Sequence, residues 1–132
     1  LELLVVVPAG VATGFLHMPT GPPSAGTFVA GFLFNVISVS IIEELLFRAI
    51  IQAALKRLFD KKKWWMSTLI SSILFGLWHW PRETELKARC IYMVLAFVCG
   101  LSYGSVYHYT GRLGASVVVH SLTDTIWGTV FK

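Results

Sequence analysis

The chain of 132 residues is 55% hydrophobic and only 14% charged, whereas soluble domains carry about 25% charged residues. This composition excludes an ordinary soluble domain and predicts an integral, multi-pass membrane protein with a single transmembrane domain over residues 1–132. The net charge of +4 is modest. Most basic residues lie in short polar breaks, a pattern typical of membrane topology, and we expect no nucleic-acid partner.

Five apolar segments follow one another along the chain and predict an all-α, polytopic membrane bundle of about four to five transmembrane helices. The segments are Leu3–His17, Thr27–Leu55, Trp64–Trp80, Cys90–Tyr109 and Leu113–Phe131. The first is broken by Pro and Gly, and the turn-rich stretch Met18–Gly26 separates it from the second. The chain begins with Leu rather than Met, and we expect it to be a fragment of a longer protein that lacks N-terminal helices.

The polar breaks predict how the chain is oriented in the membrane. The segment Lys56–Lys63 carries five basic residues and one acidic residue, so the positive-inside rule places it in the cytoplasm. Arg112 then falls on the same side, two spans later. The loop Arg82–Arg89 falls on the opposite side although it carries three basic residues against two acidic ones, which is a mild counter-signal. We therefore expect the protein to lie in a lipid bilayer, the cell membrane.

The longest apolar stretch, from Phe28 to Leu55, contains Glu43, Glu44 and Arg48. Each ionisable group at a bilayer centre costs about 2.5–3.5 kcal/mol on insertion scales. Glu44 and Arg48 are four residues apart and can pair on one helix face, whereas Glu43 points about 100° away and is left free to face an interior cavity. The pattern indicates a functional polar site. The structural alternatives are a buried ion-pair cluster that fixes helix packing and the lining of a transport pathway.

Two later segments each carry a histidine at helical spacing from a second residue. His79 follows Phe75 by four residues, and Asp124 follows His120 by four residues on one helix face. Taken alone, His79 is more typical of a histidine at the membrane interface. The His120–Asp124 pair alone indicates a proton relay or a hydrogen-bonded packing contact. At a rise of about 1.5 Å per residue, these groups and Glu43 come to a similar depth. We therefore expect them to meet in one cavity.

A carboxylate, two imidazoles and a further acid are the groups needed to activate water, with the carboxylate as general base. A zincin HExxH motif and a Gly-x-Ser-x-Gly motif are both missing from the sequence. Zn²⁺ accepts nitrogen and oxygen ligands, and the same groups can instead hold a water by hydrogen bonds, so both alternatives stay open. The candidate metal ligands are His79, His120, Glu43 and Asp124. The other histidines, at span ends, are expected to be dispensable: His17 and His108.

Three motifs in order resemble the CAAX protease and bacteriocin-processing (CPBP or Abi) family, which includes the type II CAAX prenyl proteases. The motifs are EELLFR from Glu43 to Arg48, FGLWH from Phe75 to His79, and HSLTD from His120 to Asp124. The resemblance implies a helical membrane bundle whose protease core covers residues 25–131. It also implies an intramembrane endopeptidase in which Glu43 activates the water and His79, His120 and Asp124 complete the site.

The family resemblance leaves the substrate and the mechanism open. It implies a membrane-associated peptide or protein substrate, such as a prenylated CAAX end or a bacteriocin leader, and a glutamate or metallo type of catalysis. Asp124 stands where many members have Asn, which adds a charge that favours a metal. The alternative functions are a small proton or ion transporter and a non-catalytic immunity or scaffold protein.

Overall fold

The computed structural model describes residues 2–17, 21–59 and 63–131, and all regular secondary structure in these ranges is helical. The helices are α1 (Leu3–Ala12), α2 (Ala25–Leu58), α3 (Trp64–Trp78), α4 (Leu86–Thr110) and α5 (Leu113–Val130). Each predicted apolar segment corresponds to one helix, and the predicted all-α class is confirmed. Among the described residues, helices α2 and α4 are long and apolar enough to cross a membrane by length and composition.

Two of the predicted polar breaks do not coincide with the gaps between helices. Helix α2 continues to Leu58, so the first residues of the predicted Lys56–Lys63 loop are helical. Residues 60–62 of that loop, and residues 18–20 of the predicted turn-rich stretch, lie outside the described residues. After α3, a short 3-10 turn, Trp80–Arg82, precedes α4.

Helix α2 is not a regular α-helix along its length. Its segments Val36–Ser40 and Leu45–Gln52 are π-helical, and one α-helical turn, Ile41–Glu44, lies between them. A π-turn widens the helix and changes the direction of the side chains that follow it, and such turns are frequent at functional sites. The two adjacent glutamates thus project from a short α-helical turn between two wider ones.

Helices α3 and α4 approach each other through small residues. A Cβ added to Gly76 would lie 2.8 Å from the Met93 carbonyl oxygen, and one added to Gly100 would lie 3.3 Å from the Ser72 Cα. Without a hydrophobic driving force in lipid, membrane helices pack closely by using such small side chains. The close approach brings the polar face of α3 against the centre of the bundle.

The turn between α4 and α5 returns the chain against α2. Gly111 ends α4 in the left-handed conformation, at φ 65°, and its N–H donates to the Tyr107 carbonyl oxygen at 3.0 Å. In α5, Thr125 accepts a hydrogen bond from the Asn35 side chain of α2 at 3.0 Å. Helix α5 is thereby placed beside the glutamate-bearing turn of α2.

The bundle buries polar side chains and exposes large apolar ones. Arg48, Glu44 and His120 are among its largest fully buried side chains, whereas Phe34 and Ile37 are more than 60% exposed. A soluble domain shows the opposite distribution. Apolar surface outside and a hydrogen-bonded polar interior are what a bilayer requires.

Candidate active site

The centre of the bundle is a buried ion pair within α2. Arg48 Nε donates to Glu44 Oε2 at 3.1 Å, and both side chains are fully buried. Arg48 Nη1 donates to Ser71 of α3 at 3.2 Å, and its guanidinium carbon lies 5.2 Å from the centre of the Phe75 ring. The predicted i,i+4 pair is therefore present, and Ser71 and Phe75 attach it to α3.

His120 of α5 lies between the two glutamates. Its Nδ1 is 3.0 Å from Glu44 Oε1, and its Nε2 is 3.8 Å from Glu43 Oε2. Because a carboxylate only accepts hydrogen bonds, Nδ1 carries the proton toward Glu44. Ser116, one turn before His120, also donates to Glu44, and the Tyr103 ring stacks on the imidazole at 4.5 Å. The orientation of the imidazole is thus fixed by its neighbours.

His79 is oriented by the backbone of its own helix. Its Nδ1 lies 2.7 Å from the Phe75 carbonyl oxygen, which accepts a hydrogen bond, so Nδ1 carries the proton. The other ring nitrogen, Nε2, is then the acceptor, and it lies 3.9 Å from Glu43 Oε2. The Nε2 atoms of His79 and His120 therefore both face the same carboxylate oxygen.

Glu43 has two differently placed oxygens. Oε1 accepts a hydrogen bond from Arg82 Nη2 at 2.5 Å, and Oε2 is buried without a hydrogen-bond partner among the described residues. The sequence-based expectation of an unpaired Glu43 is wrong, because the 3-10 turn after α3 directs Arg82 back toward the bundle. The pairing leaves Oε2 as the glutamate atom that faces both imidazoles.

The imidazoles border an open cavity of about 210 Å³. Its polar lining includes His79, Arg82, Tyr92, Tyr103, His120 and Asp124. The Asp124 side chain is 35% exposed, and its Oδ2 lies 3.4 Å from His120 Nε2. Glu43, expected to line the same cavity, instead borders an adjacent recess that shares Arg82 as a wall, because the Arg82 pair covers it. The structure thus brings all six predicted site residues together, with Glu43 behind the cavity surface.

Zn²⁺ is one of the two alternatives that the sequence leaves open, beside a water held by hydrogen bonds alone. Two imidazole nitrogens and a carboxylate are donors that Zn²⁺ accepts. Within residues 2–17, 21–59 and 63–131, however, no group of three His, Cys, Asp or Glu side chains could hold a metal ion. The side-chain arrangement therefore does not match a preformed zinc site.

The two remaining histidines lie away from this cavity. His17 is exposed, and His108 stacks on Trp64 at 4.0 Å near the opposite end of α3. Sequence reasoning missed the contribution of Arg82, Ser71 and Ser116. A signal existed for Ser116, which precedes His120 by one helical turn, and for Arg82, which follows His79 by three residues across a proline.

Residues 25–126 match the model of the family described as type II CAAX prenyl endopeptidase Rce1-like. The chain is also 31% identical over 85 residues to a Bacillus subtilis (strain 168) protein named "Putative membrane peptidase YdiL". That match covers 64% of this chain and 30% of the relative, so the chain spans less than a third of the relative's length. No solved structure matches the chain.

Removing the Glu44 charge is expected to destabilise the fold. In Glu44→Gln, Arg48 becomes a buried cation without an anionic partner, and breaking such a pair costs about 3–5 kcal/mol. Thermal unfolding of the purified protein in detergent, followed by tryptophan fluorescence, measures the effect. Glu85→Gln, at an exposed loop position without a side-chain cap bond, is the matched control. A midpoint for Glu44→Gln equal to that of the control would contradict a stabilising role for the pair.

Proposed function

The chain belongs to the Rce1-like family of type II CAAX prenyl endopeptidases, and from that premise we propose that it is an intramembrane endopeptidase in which Glu43 activates a water molecule. The observation that carries the proposal is the buried Glu43 Oε2, which has no hydrogen-bond partner in the described part of the chain and faces two imidazole Nε2 atoms at 3.8 and 3.9 Å. Family membership gives the reaction class, a peptidase.

Two hydrogen-bond acceptors and one donor converge at this point. With Nδ1 donating to the Phe75 carbonyl oxygen, His79 Nε2 is an acceptor, as is the Glu43 carboxylate. His120 Nε2 faces the carboxylates of Asp124 and Glu43, which only accept, and is therefore a donor. A water molecule can donate two hydrogen bonds, and its oxygen is the nucleophile. Water held by Glu43 and one imidazole therefore satisfies the buried oxygen and is positioned for attack, which lowers the entropic part of the barrier.

The proposed reaction is general-base hydrolysis. Glu43 Oε2 takes a proton from the water as the water oxygen bonds to the scissile carbonyl carbon. The developing oxyanion is stabilised by the Nε2–H of His120, which lies 3.8 Å from Glu43 Oε2. The carbon–nitrogen bond then breaks, and Glu43 returns its proton to the leaving amine. Asp124, 3.4 Å from His120 Nε2, completes the polar edge of the cavity.

We propose a membrane-associated peptide or protein as the substrate, with prenylated CAAX ends as the class that the family description names. We also propose that the protein spans the cell membrane several times with the segment Lys56–Lys63 in the cytoplasm. The positive-inside rule supports this orientation. Two apolar helices of sufficient length support insertion.

Replacing the proposed base is expected to abolish turnover without unfolding the protein. Glu43→Gln keeps the size of the side chain and its hydrogen bond to Arg82 but removes the proton acceptor, and loss of a general base costs about 10²–10⁴-fold in rate. Cleavage of membrane-peptide substrates by purified protein measures it, with Glu85→Gln as the control. His17→Ala and His108→Ala are expected to retain activity. Near-wild-type turnover in a folded Glu43→Gln protein would contradict the assignment of Glu43 as the general base.

Arg82 is expected to act as a positioning residue for Glu43. In Arg82→Gln, Glu43 loses the contact at Oε1 that aims Oε2 at the imidazoles, and a misplacement of about 1 Å can cost about 100-fold in rate. We expect kcat to fall with little change in the melting temperature, and Arg82→Lys to restore part of the rate. Arg89→Gln is the control, because Arg89 instead donates to the Glu83 carbonyl oxygen. Equal kcat values for Arg82→Gln and Arg89→Gln would refute the role.

The proposed glutamate mechanism also makes a prediction about metal. Because the described side chains do not match a preformed zinc site, we expect catalysis without a metal ion. After exhaustive dialysis against chelator, we expect full cleavage activity and less than stoichiometric zinc by elemental analysis. Stoichiometric zinc that disappears together with activity in His120→Ala would instead establish a metalloprotease.

A further inference from the structure

A second cavity, of about 270 Å³, lies at the other end of α2, where α2 meets the last turn of α4. Its polar lining is formed by Gln52, Lys56, Arg57, Tyr107 and His108. None of these side chains belongs to the candidate active site. Gly111, which ends α4, completes the wall. The cavity is therefore a separate feature of the bundle, which we call the basic pocket.

The basic pocket has two cations, Lys56 and Arg57, without a counterion in the described part of the chain. Lys56 and Arg57 form neither a hydrogen bond nor an ion pair with any residue in the described ranges, and the residues described as lining the pocket include no acidic side chain. Two further basic residues, Lys63 and Arg112, stand immediately before the first residues of α3 and α5. Among the residues that the structure describes, the local charge is thus positive, which attracts an anion.

The basic pocket lies far from the two glutamates along α2 and beside a cluster of aromatic rings. Lys56 follows Glu43 by thirteen residues in α2, which is about 20 Å along a helix axis. Trp64 stacks on His108 at 4.0 Å and lies 5.3 Å from the Tyr109 ring. Trp and Tyr collect at the membrane–water interface, so these rings mark the boundary at which the pocket opens.

We propose that the basic pocket binds the phosphate of an anionic phospholipid head group. Lys56 and Arg57 would contact the phosphate oxygens, and the Tyr107 hydroxyl offers a further donor. The aromatic cluster of Trp64, His108 and Tyr109 lies beside the start of the acyl chains. Basic pockets between transmembrane helices on the cytoplasmic side bind such head groups. The proposal concerns a lipid site and does not depend on the assignment of the peptidase residues.

Native mass spectrometry of the full chain in detergent micelles tests the site. The protein is titrated with phosphatidylglycerol, with phosphatidylcholine and, separately, with inorganic phosphate at matched ionic strength. We expect bound phosphatidylglycerol, with an affinity that falls about fivefold in Lys56→Gln or Arg57→Gln and about 25-fold in the double variant, since each charge contributes about equally near an anionic surface. Lys87→Gln is the control, because Lys87 is exposed in the first turn of α4.

Three results would overturn the proposal. The first is phosphatidylcholine binding as strongly as phosphatidylglycerol. The second is an equal loss of affinity in Lys87→Gln and Lys56→Gln, which would indicate a general charge effect. The third is binding of inorganic phosphate that depends on Lys56 and Arg57 while phosphatidylglycerol does not bind, which would identify a soluble anion as the ligand. Both basic side chains are exposed, so the variants are expected to fold, and circular dichroism verifies this.

Discussion

The Glu44–Arg48 ion pair is the interaction on which the rest of the structure depends. Both side chains are fully buried, and their hydrogen bonds extend to Ser71 on α3 and to Ser116 and His120 on α5. Burying two charges costs several kcal/mol per ion unless they are paired and hydrogen-bonded. The pair therefore restricts how α2, α3 and α5 can pack, and it sets the position of His120, whose Nδ1 it holds through Glu44.

The two neighbouring glutamates have different hydrogen-bond partners. They approach opposite nitrogens of one imidazole, with Glu44 at Nδ1 and Glu43 near Nε2. Glu44 has three hydrogen-bond donors around it, which makes it a poor proton acceptor. Glu43 has Arg82 on one oxygen and an unpartnered second oxygen, at least among the residues that the structure describes. Of these two adjacent residues, Glu44 is thus the carboxylate that fixes helix packing, and Glu43 is the one that we propose as the base.

Local spacing predicted the contacts made within one helix, and similar depth predicted the approach of Glu43 to His79 and His120, but the contact of Arg82 with Glu43 was not predicted. The i,i+4 rule anticipated the Glu44–Arg48 pair and the closeness of His120 to Asp124, because both depend only on helix geometry. The sequence predicts a polar loop at Arg82–Arg89, because Pro81 ends the helix before it, whereas the 3-10 turn Trp80–Arg82 returns Arg82 to Glu43. The π-helical segments of α2 also have no simple sequence signature, because they depend on packing against neighbouring helices.

The central claim is that Glu43 and His79 act on one water molecule, and a double-mutant cycle on cleavage rates tests it most directly. The cycle uses Glu43→Asp, which retracts the carboxylate but keeps measurable turnover, together with His79→Gln and the double variant. Residues that act as a unit lose rate non-additively. The account predicts that the double variant is about as slow as the slower single variant. Rate losses that multiply in the double variant would show that the two residues act independently and would contradict the shared water.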